Sequence, residues 1–187
     1  GIQYGAKDYE TLHRQISTTL LSGAVFSFFL TLVCVIFAVP ILLLLQVDPS
    51  IMDMTVQYLR IIFLGLMFTF LYNFFSSTLR ALGDSASPLY FLIISALLNI
   101  ILDLVFIIRF QMGAKGAAVA TVIAQGTSGV LCLLYIIAKV PVLHIKRDDL
   151  QVGGTIYSNQ LRIGIPMALQ YSITAIGTMM VQSSLNI

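Results

Sequence analysis

Asp103 is the most expensive residue in this chain to keep where the sequence puts it. It lies in an apolar run from about Leu89 to Ile108, and a carboxylate inside a membrane helix costs about 2.5–3.5 kcal/mol on insertion scales. The run is centred near residue 98, so at 1.5 Å per residue Asp103 stands roughly 7 Å from its middle, too deep for a short side chain to reach the surface easily. Asn99 precedes Asp103 by four residues and Ser95 precedes Asn99 by four, so all three project from one helix face. A carboxylate and an amide oxygen stacked in this way form a hard-oxygen site suited to a proton or a small hard cation. Two structural readings compete with that chemistry. One is a helix-end ion pair with Arg109, which a spacing of six residues serves poorly. The other is interhelical glue, with Asn99 bonding a neighbouring backbone.

The next apolar run presents a matching face. Thr121, Gln125 and Ser128 fall at i, i+4 and i+7, while Gly116, Ala120 and Ala124 make a small-residue seam on another side that lets helices approach closely in lipid. Thr121 is placed to turn a hydroxyl towards Asp103, although taken alone it fits packing against its own helix better. Asn73, in an earlier run, is a further buried amide for which glue and function are equally good readings. Met167, Met179 and Met180 read as ordinary lipid or core contacts.

These side chains must be positioned by membrane helices. Of the 187 residues 58% are apolar and 10% charged, and mean hydropathy is +0.96. Soluble domains are about 45–50% apolar and about 25% charged. Runs at 15–47, 61–79, 89–108, 116–138 and 163–187 each meet the requirement of about 20 residues for a helix through the hydrocarbon. With flanking residues the first four helices are expected over about 15–47, 57–80, 88–108 and 116–138. Five such runs in succession are incompatible with a soluble domain, and a barrel would alternate polar and apolar residues. The expected fold is therefore an all-α, polytopic membrane helical bundle. This composition excludes a soluble nucleic-acid binder, a disulfide scaffold and a disordered chain, and a net charge of +2 gives no broad field for a charged partner.

Cys34 and Cys132 lie deep in apolar runs and read as small unpaired hydrophobes, and His13 and His144 fall in charged connecting segments and read as solvated. No CxxC pair or metal cluster is present in the sequence. Of the ten basic residues, Lys7, Arg14, Arg80, Lys139, Lys146, Arg147 and Arg162 collect on one side of the membrane, against Arg60, Arg109 and Lys115 on the other. The positive-inside rule then makes Gly1–Arg14, Arg80–Pro88 and Lys139–Arg162 cytoplasmic. Both chain ends interrupt a pattern, so the chain reads as a piece of a longer bundle. Residues 1–138 form part of one lobe, 139–162 a linker whose part from Thr155 to Arg162 lies along the membrane surface, and 163–187 the start of a second lobe.

The segments also resemble a known family. Gln3-Tyr4-Gly5-Ala6-Lys7-Asp8 before a long helix is similar to the loop between helices two and three of the MATE (multidrug and toxic compound extrusion) transporters. Tyr58-Leu59-Arg60-Ile61 and Leu79-Arg80-Ala81-Leu82-Gly83-Asp84-Ser85 with Pro88 resemble the fourth helix and its loop. Leu98-Asn99-Ile100-Ile101-Leu102-Asp103 resembles the fifth helix of the prokaryotic DinF-like branch. Met112-Gly113-Ala114-Lys115-Gly116-Ala117-Ala118 with Ala120-Thr121 is similar to the start of the sixth, and Gly164-Ile165-Pro166-Met167 with Gln182 to the start of the seventh. Any one of these motifs is weak, but their order is the family's and they cover almost the whole chain.

The resemblance implies helices three to seven of a twelve-helix, two-lobed fold in the plasma (inner) membrane. It implies a secondary antiporter, not an enzyme, that exports amphipathic or cationic drugs in exchange for Na+ or H+. The coupling ion takes the place of a cofactor, and the partners are the bilayer, such substrates and the rest of the polypeptide, with no nucleic acid. Of the ion site, Asn99, Asp103 and Thr121 match the family's positions, and an acid in helix one completes it. Asn73, Ser95 and Gln125 are candidates to line the cleft.

Three rivals stand beside this reading. A lipid-linked oligosaccharide flippase of the same superfamily is expected to carry several cations in its cleft, and here Arg60, Arg80 and Arg109 all sit at helix ends. An intramembrane aspartyl protease needs a second carboxylate, and a metalloprotease needs histidines in a helix. A structural scaffold would have no use for Asp103.

Overall fold

In a computed structural model, which describes residues 2–45, 47–143 and 154–185, helices begin and end where local chemistry allows. A single turn, α1 (Ile2–Gly5), precedes α2 (Tyr9–Leu44). α2 starts six residues before the apolar run because the Asp8 carboxylate caps it, accepting from the Thr11 N–H at 3.1 Å. Hydrogen bonding to Thr11, from its side chain first and then from its N–H, holds the Asp8 carboxyl below its ordinary pKa. At 1.5 Å per residue the 36 residues of α2 reach about 54 Å, well beyond a hydrocarbon core of about 30 Å.

The second expected crossing is not one helix but two, α3 (Met52–Leu64) and α4 (Leu66–Ala81), separated at Gly65. Gly65 lies tight against α6: a Cβ there would stand 2.5 Å from Val122 Cγ2, so Val122 would have to shift to admit a side chain. α5 (Ala86–Leu104) runs into a π-helical segment at Val105–Arg109, and α6 (Gly113–Lys139) follows after a short link. A 3-10 turn at Pro141–Leu143 precedes α7 (Gly154–Leu185).

α6 is the hub. It packs against α3, α4 and α5 and buries Gly116, Ala118, Ala120, Ala124, Ser128, Gly129, Cys132 and Ile136. The seam Gly116–Ala120–Ala124 is thus a packing surface, as small residues are where lipid offers no hydrophobic drive between helices. Cys132 and Ile136 join Phe75, Leu79 and Leu143 in an apolar cluster. Cys34 and Cys132 are free thiols. Outward faces carry the remaining apolar residues. Phe28, Phe29, Leu97, Ile101 and Ile108 are all exposed, a surface that lipid and not water can cover. Several hydroxyls within the spans bond their own helix, as Thr19 does to the Gln15 carbonyl at 2.7 Å and Thr78 to that of Phe74 at 2.8 Å, whereas those of Ser17, Thr18, Thr31 and Ser76 are buried without a partner.

Among the described residues, four helical stretches are long and apolar enough to cross a membrane: Tyr9–Leu44, Met52–Ala81, Ala86–Arg109 and Gly113–Lys139. The fifth expected run, 163–187, falls in α7, a helix of 32 residues. Residues 155–162, expected along the membrane surface, form the first turns of α7, continuous with the rest of that helix. Gln160 Nε2 fastens them to α2 by donating to Thr19 Oγ1 at 2.6 Å and to the Gln15 carbonyl at 3.3 Å. One correction concerns His13, expected in solvent. It is half-buried, with Nε2 2.6 Å from the Val142 carbonyl, a contact between residues 129 apart that local charge could not reveal. Residues 144–153 of the expected linker, with His144, Lys146 and Arg147, lie outside the described residues, as do residues 186–187 and the side chains of Met179, Met180 and Gln182.

The turn into α5 carries a pH dependence. Asp84 Oδ1 accepts from the Ser87 N–H at 3.0 Å, and that backbone bond holds the Asp84 carboxyl below its ordinary pKa. The turn is therefore stabilised while Asp84 is ionised, and the contribution disappears as pH falls through the lowered folded pKa. Hydrogen exchange at the Ser87 amide should stay slow down through the usual carboxylate range and accelerate only below it. Asp84→Ala should exchange quickly throughout. Equal protection in the variant would refute the cap.

Candidate functional site

α4, α5 and α6 line an open cavity of about 320 Å³. The short link between α5 and α6 makes them antiparallel neighbours, so Ser95 and Asn99 on one meet Ser128, Gln125 and Thr121 on the other. Those five residues line the cavity together with Thr69, Tyr72 and Asn73 of α4. Five of the six residues singled out from the sequence therefore share one space. Asp103 is not among the lining residues. It lies one turn further along α5, half-buried, next to the π-helical segment that begins at Val105.

The row on α5 shares a lack with Ser17, Thr18 and Thr31 of α2 and Ser76 of α4, whose hydroxyls are also buried without a partner. Ser95 Oγ, Asn99 Nδ2 and Asp103 Oδ1 are all closed off from solvent and have no hydrogen-bond partner. A buried polar group without a partner costs about 1–3 kcal/mol, and a charged one more. Three in succession on a single face make a strip of polar atoms that the described residues leave unsatisfied. Asp103 makes no ion pair with Arg109, which is exposed at the end of the π-helical segment, so the helix-end reading is not what the structure shows.

The other candidates are partly engaged. Thr121 does not donate to Asp103. Its hydroxyl proton goes to the Ala117 carbonyl at 2.9 Å, which corrects the expected direction while leaving the oxygen lone pairs on the cavity wall. Asn73, exposed on the cavity side, donates from Nδ2 to the Thr69 carbonyl at 2.9 Å. Ser128 Oγ bonds the Gln125 carbonyl at 2.9 Å. Gln125 Oε1 accepts from Thr69 Oγ1 across the α4–α6 interface.

Sequence reasoning missed Thr69 and Tyr72. A signal for the first was available, because Thr69 precedes Asn73 by four and so shares its face. Tyr72 carries none, being an ordinary core aromatic in any apolar run. No lining residue is Lys or Arg, and no group of three or more His, Cys, Asp or Glu side chains suited to a metal occurs among the described residues.

Known proteins are similar to this chain in sequence, and one solved structure is similar to it in fold. Bacillus subtilis (strain 168) YpnP, described as a probable multidrug resistance protein, is 37% identical over 148 residues, or 78% of this chain and 32% of YpnP. YoeA of the same organism, described in the same words, is 30% identical over 193 residues, covering 100% of this chain and 42% of YoeA. Staphylococcus aureus MepA, described as a multidrug export protein, is 27% identical over 165 residues, covering 88% and 37%. The chain thus spans roughly a third to two fifths of the length of these relatives. A solved structure, an inward-facing conformation of a multidrug resistance MATE family transporter of the MOP superfamily, matches with a TM-score of 0.81 at 21% identity, over 88% of this chain and 38% of that one. At that identity it speaks for the fold alone. Since the MatE family model matches residues 1–105, more than half of the 187, the chain belongs to the MatE family.

Proposed function

We propose that this chain is part of a secondary active transporter that exports amphipathic organic cations across the plasma membrane in exchange for Na+ or H+. On this reading it works within a longer polypeptide of its relatives' length, residues 1–138 belonging to one lobe and α7 opening the second. Gly1–Arg14, Arg80–Pro88 and Lys139–Arg162 face the cytoplasm, where basic residues are favoured. Asp103 is the coupling acid, and Asn99 and Thr121 supply oxygen ligands, with Asn73, Ser95 and Gln125 lining the cleft.

One observation carries the proposal: the unpartnered strip Ser95 Oγ, Asn99 Nδ2 and Asp103 Oδ1 on one face of α5. A carboxylate withdrawn from water is costly to keep charged, and a proton or bound Na+ relieves that cost. A cation that binds one arrangement of the bundle better than the other shifts the population towards it, and drug release follows if the drug has the opposite preference. The names of the relatives, multidrug resistance and multidrug export, agree with such a cargo. A flippase for pyrophosphate-linked lipids finds no support in a cavity without Lys or Arg among its lining residues.

The test is transport by the complete protein in proteoliposomes loaded with ethidium, a fluorescent amphipathic cation. Efflux should require an imposed Na+ or H+ gradient and should stop when the gradient is collapsed by an ionophore. Efflux indifferent to both gradients would overturn the antiport reading.

A further inference from the structure

The connection between α6 and α7 is held on both sides by the same stretch of α2. Ahead of residues 144–153, the Val142 carbonyl accepts from His13 Nε2 at 2.6 Å. Beyond them, Gln160 Nε2 donates to Thr19 Oγ1 at 2.6 Å and to the Gln15 carbonyl at 3.3 Å. Only the NH2 end of the amide can make these two bonds. A backbone carbonyl is an acceptor, and the Thr19 hydroxyl has already given its proton to that same carbonyl at 2.7 Å. His13, Gln15 and Thr19 span about 9 Å of helix at 1.5 Å per residue. Val142 and Gln160 are 18 positions apart, a length of chain that extended would reach several times as far. Past Gln160 the grip ends, since residues 161–175 are all exposed. A tether between two moving bodies has one end on each, whereas this one has both ends on α2.

We propose that the connection between α6 and α7 is pinned to α2 at both ends, with Gln160 as its outer pin, so that the first turns of α7 travel with the first lobe and rearrangement of the second lobe is taken up in α7 beyond Gln160. The inference rests on the transporter reading above and adds to it where the moving boundary falls: past residue 160, not within the linker. Gln160 is a positioning residue, acting on transport through the helix that it keeps still.

The experiment measures distances between paired nitroxide labels by pulsed electron paramagnetic resonance in the complete protein, with Cys34→Ala and Cys132→Ala removing the native thiols. One pair, at Phe37 and Ser158, reports on the pinned turns of α7, and the other, at Phe37 and Tyr171, on the helix beyond the pin. All three positions are exposed. The first distance should be single and the same at acidic and alkaline pH, with and without NaCl and ethidium, while the second changes among those conditions. In Gln160→Glu a carboxylate of the same shape, with no proton to give, faces two acceptors. The fraction of molecules with the first distance displaced should then rise about tenfold, the weight of one to two neutral hydrogen bonds. Acidification through about pH 4.3 returns an O–H donor and should restore the wild-type distance. Gln160→Leu should stay displaced at every pH, whereas a role in packing alone would leave the two variants alike. A first distance that moves in wild type overturns the proposal. So does a second distance that never moves in a protein with gradient-driven efflux, or a Gln160→Glu variant that keeps the wild-type distance at neutral pH. If neither variant folds, the two wild-type distances still decide. The two readings fail separately. Efflux indifferent to both gradients with a steady first distance removes the antiport reading alone, whereas gradient-driven efflux with a moving first distance removes only the pin.

Discussion

Asp103→Asn is expected to yield a folded protein that no longer couples efflux to a cation gradient. The substitution keeps the size and shape of the side chain but removes its capacity to exchange charge. Moving a two-state bundle from 1:99 to 99:1 takes a binding preference of about 10⁴-fold, and a neutral amide cannot supply the part that comes from neutralising a buried carboxylate. Gradient-driven ethidium efflux should therefore fall at least about tenfold at matched expression. Stability should move the other way or stay level. Asp103 Oδ1 is buried without a partner, and replacing an unpartnered acid by a neutral amide removes a desolvation penalty. The pair of readouts separates the mechanism from a scaffold role. A residue kept for structure would lose stability with activity, whereas a residue kept for coupling loses activity while thermal stability in detergent holds or rises. Efflux at the wild-type rate in Asp103→Asn would end the proposal for this side chain.

The sequence made one layer of this arrangement legible because the background is so apolar. In a run such as Leu89–Ile108 any Ser, Asn or Asp stands out, and a period near four assigns it to a face. Ser95, Asn99, Thr121, Gln125 and Asn73 were separable in this way, and they line one cavity. What remained hidden depends on neighbours far along the chain. Val122 of α6 lies where a side chain at Gly65 would have to go, and no local pattern around Gly65 announces Val122. The direction of the Thr121 proton was the alternative weighed at the outset, since a threonine hydroxyl in a helix has its own carbonyl four residues back as a ready acceptor. The half-burial of His13 comes from Val142, on the far side of four helices. Asp103's absence from the cavity lining follows from where the cavity ends along α5, which helix periodicity does not encode.

Gly116→Leu should be the most damaging substitution in α6. A Cβ on Gly116 would lie 2.9 Å from Phe106 Cβ, 3.0 Å from Met112 Cβ and 3.3 Å from the Phe106 backbone carbon. The first two atoms are anchored at their own backbones and the third is backbone, so relief requires the helices to part and not merely a rotamer change. Overpacking of this kind costs typically about 1–3 kcal/mol, and in lipid the separated helices regain little, because close approach of small residues is what holds them together. Phe106 belongs to the π-helical segment Val105–Arg109, which continues from the end of α5, so the displaced element adjoins the helix that carries the strip of unpartnered groups. Gly116→Leu should therefore lower the thermal midpoint measured by size-exclusion chromatography after heating in detergent, and weaken Na+ or proton coupling even in the fraction that stays folded. Gly126→Ala is the matched comparison on the same helix. Its Cβ would meet Phe68 Cδ1 at 3.4 Å, an ordinary contact with a ring edge, and the added methyl replaces a glycine that costs a helix roughly 0.5–1 kcal/mol relative to alanine. That variant should be as stable as wild type or slightly more so. If the two glycines responded alike, the close approach of α6 to the end of α5 would not be what positions Asp103.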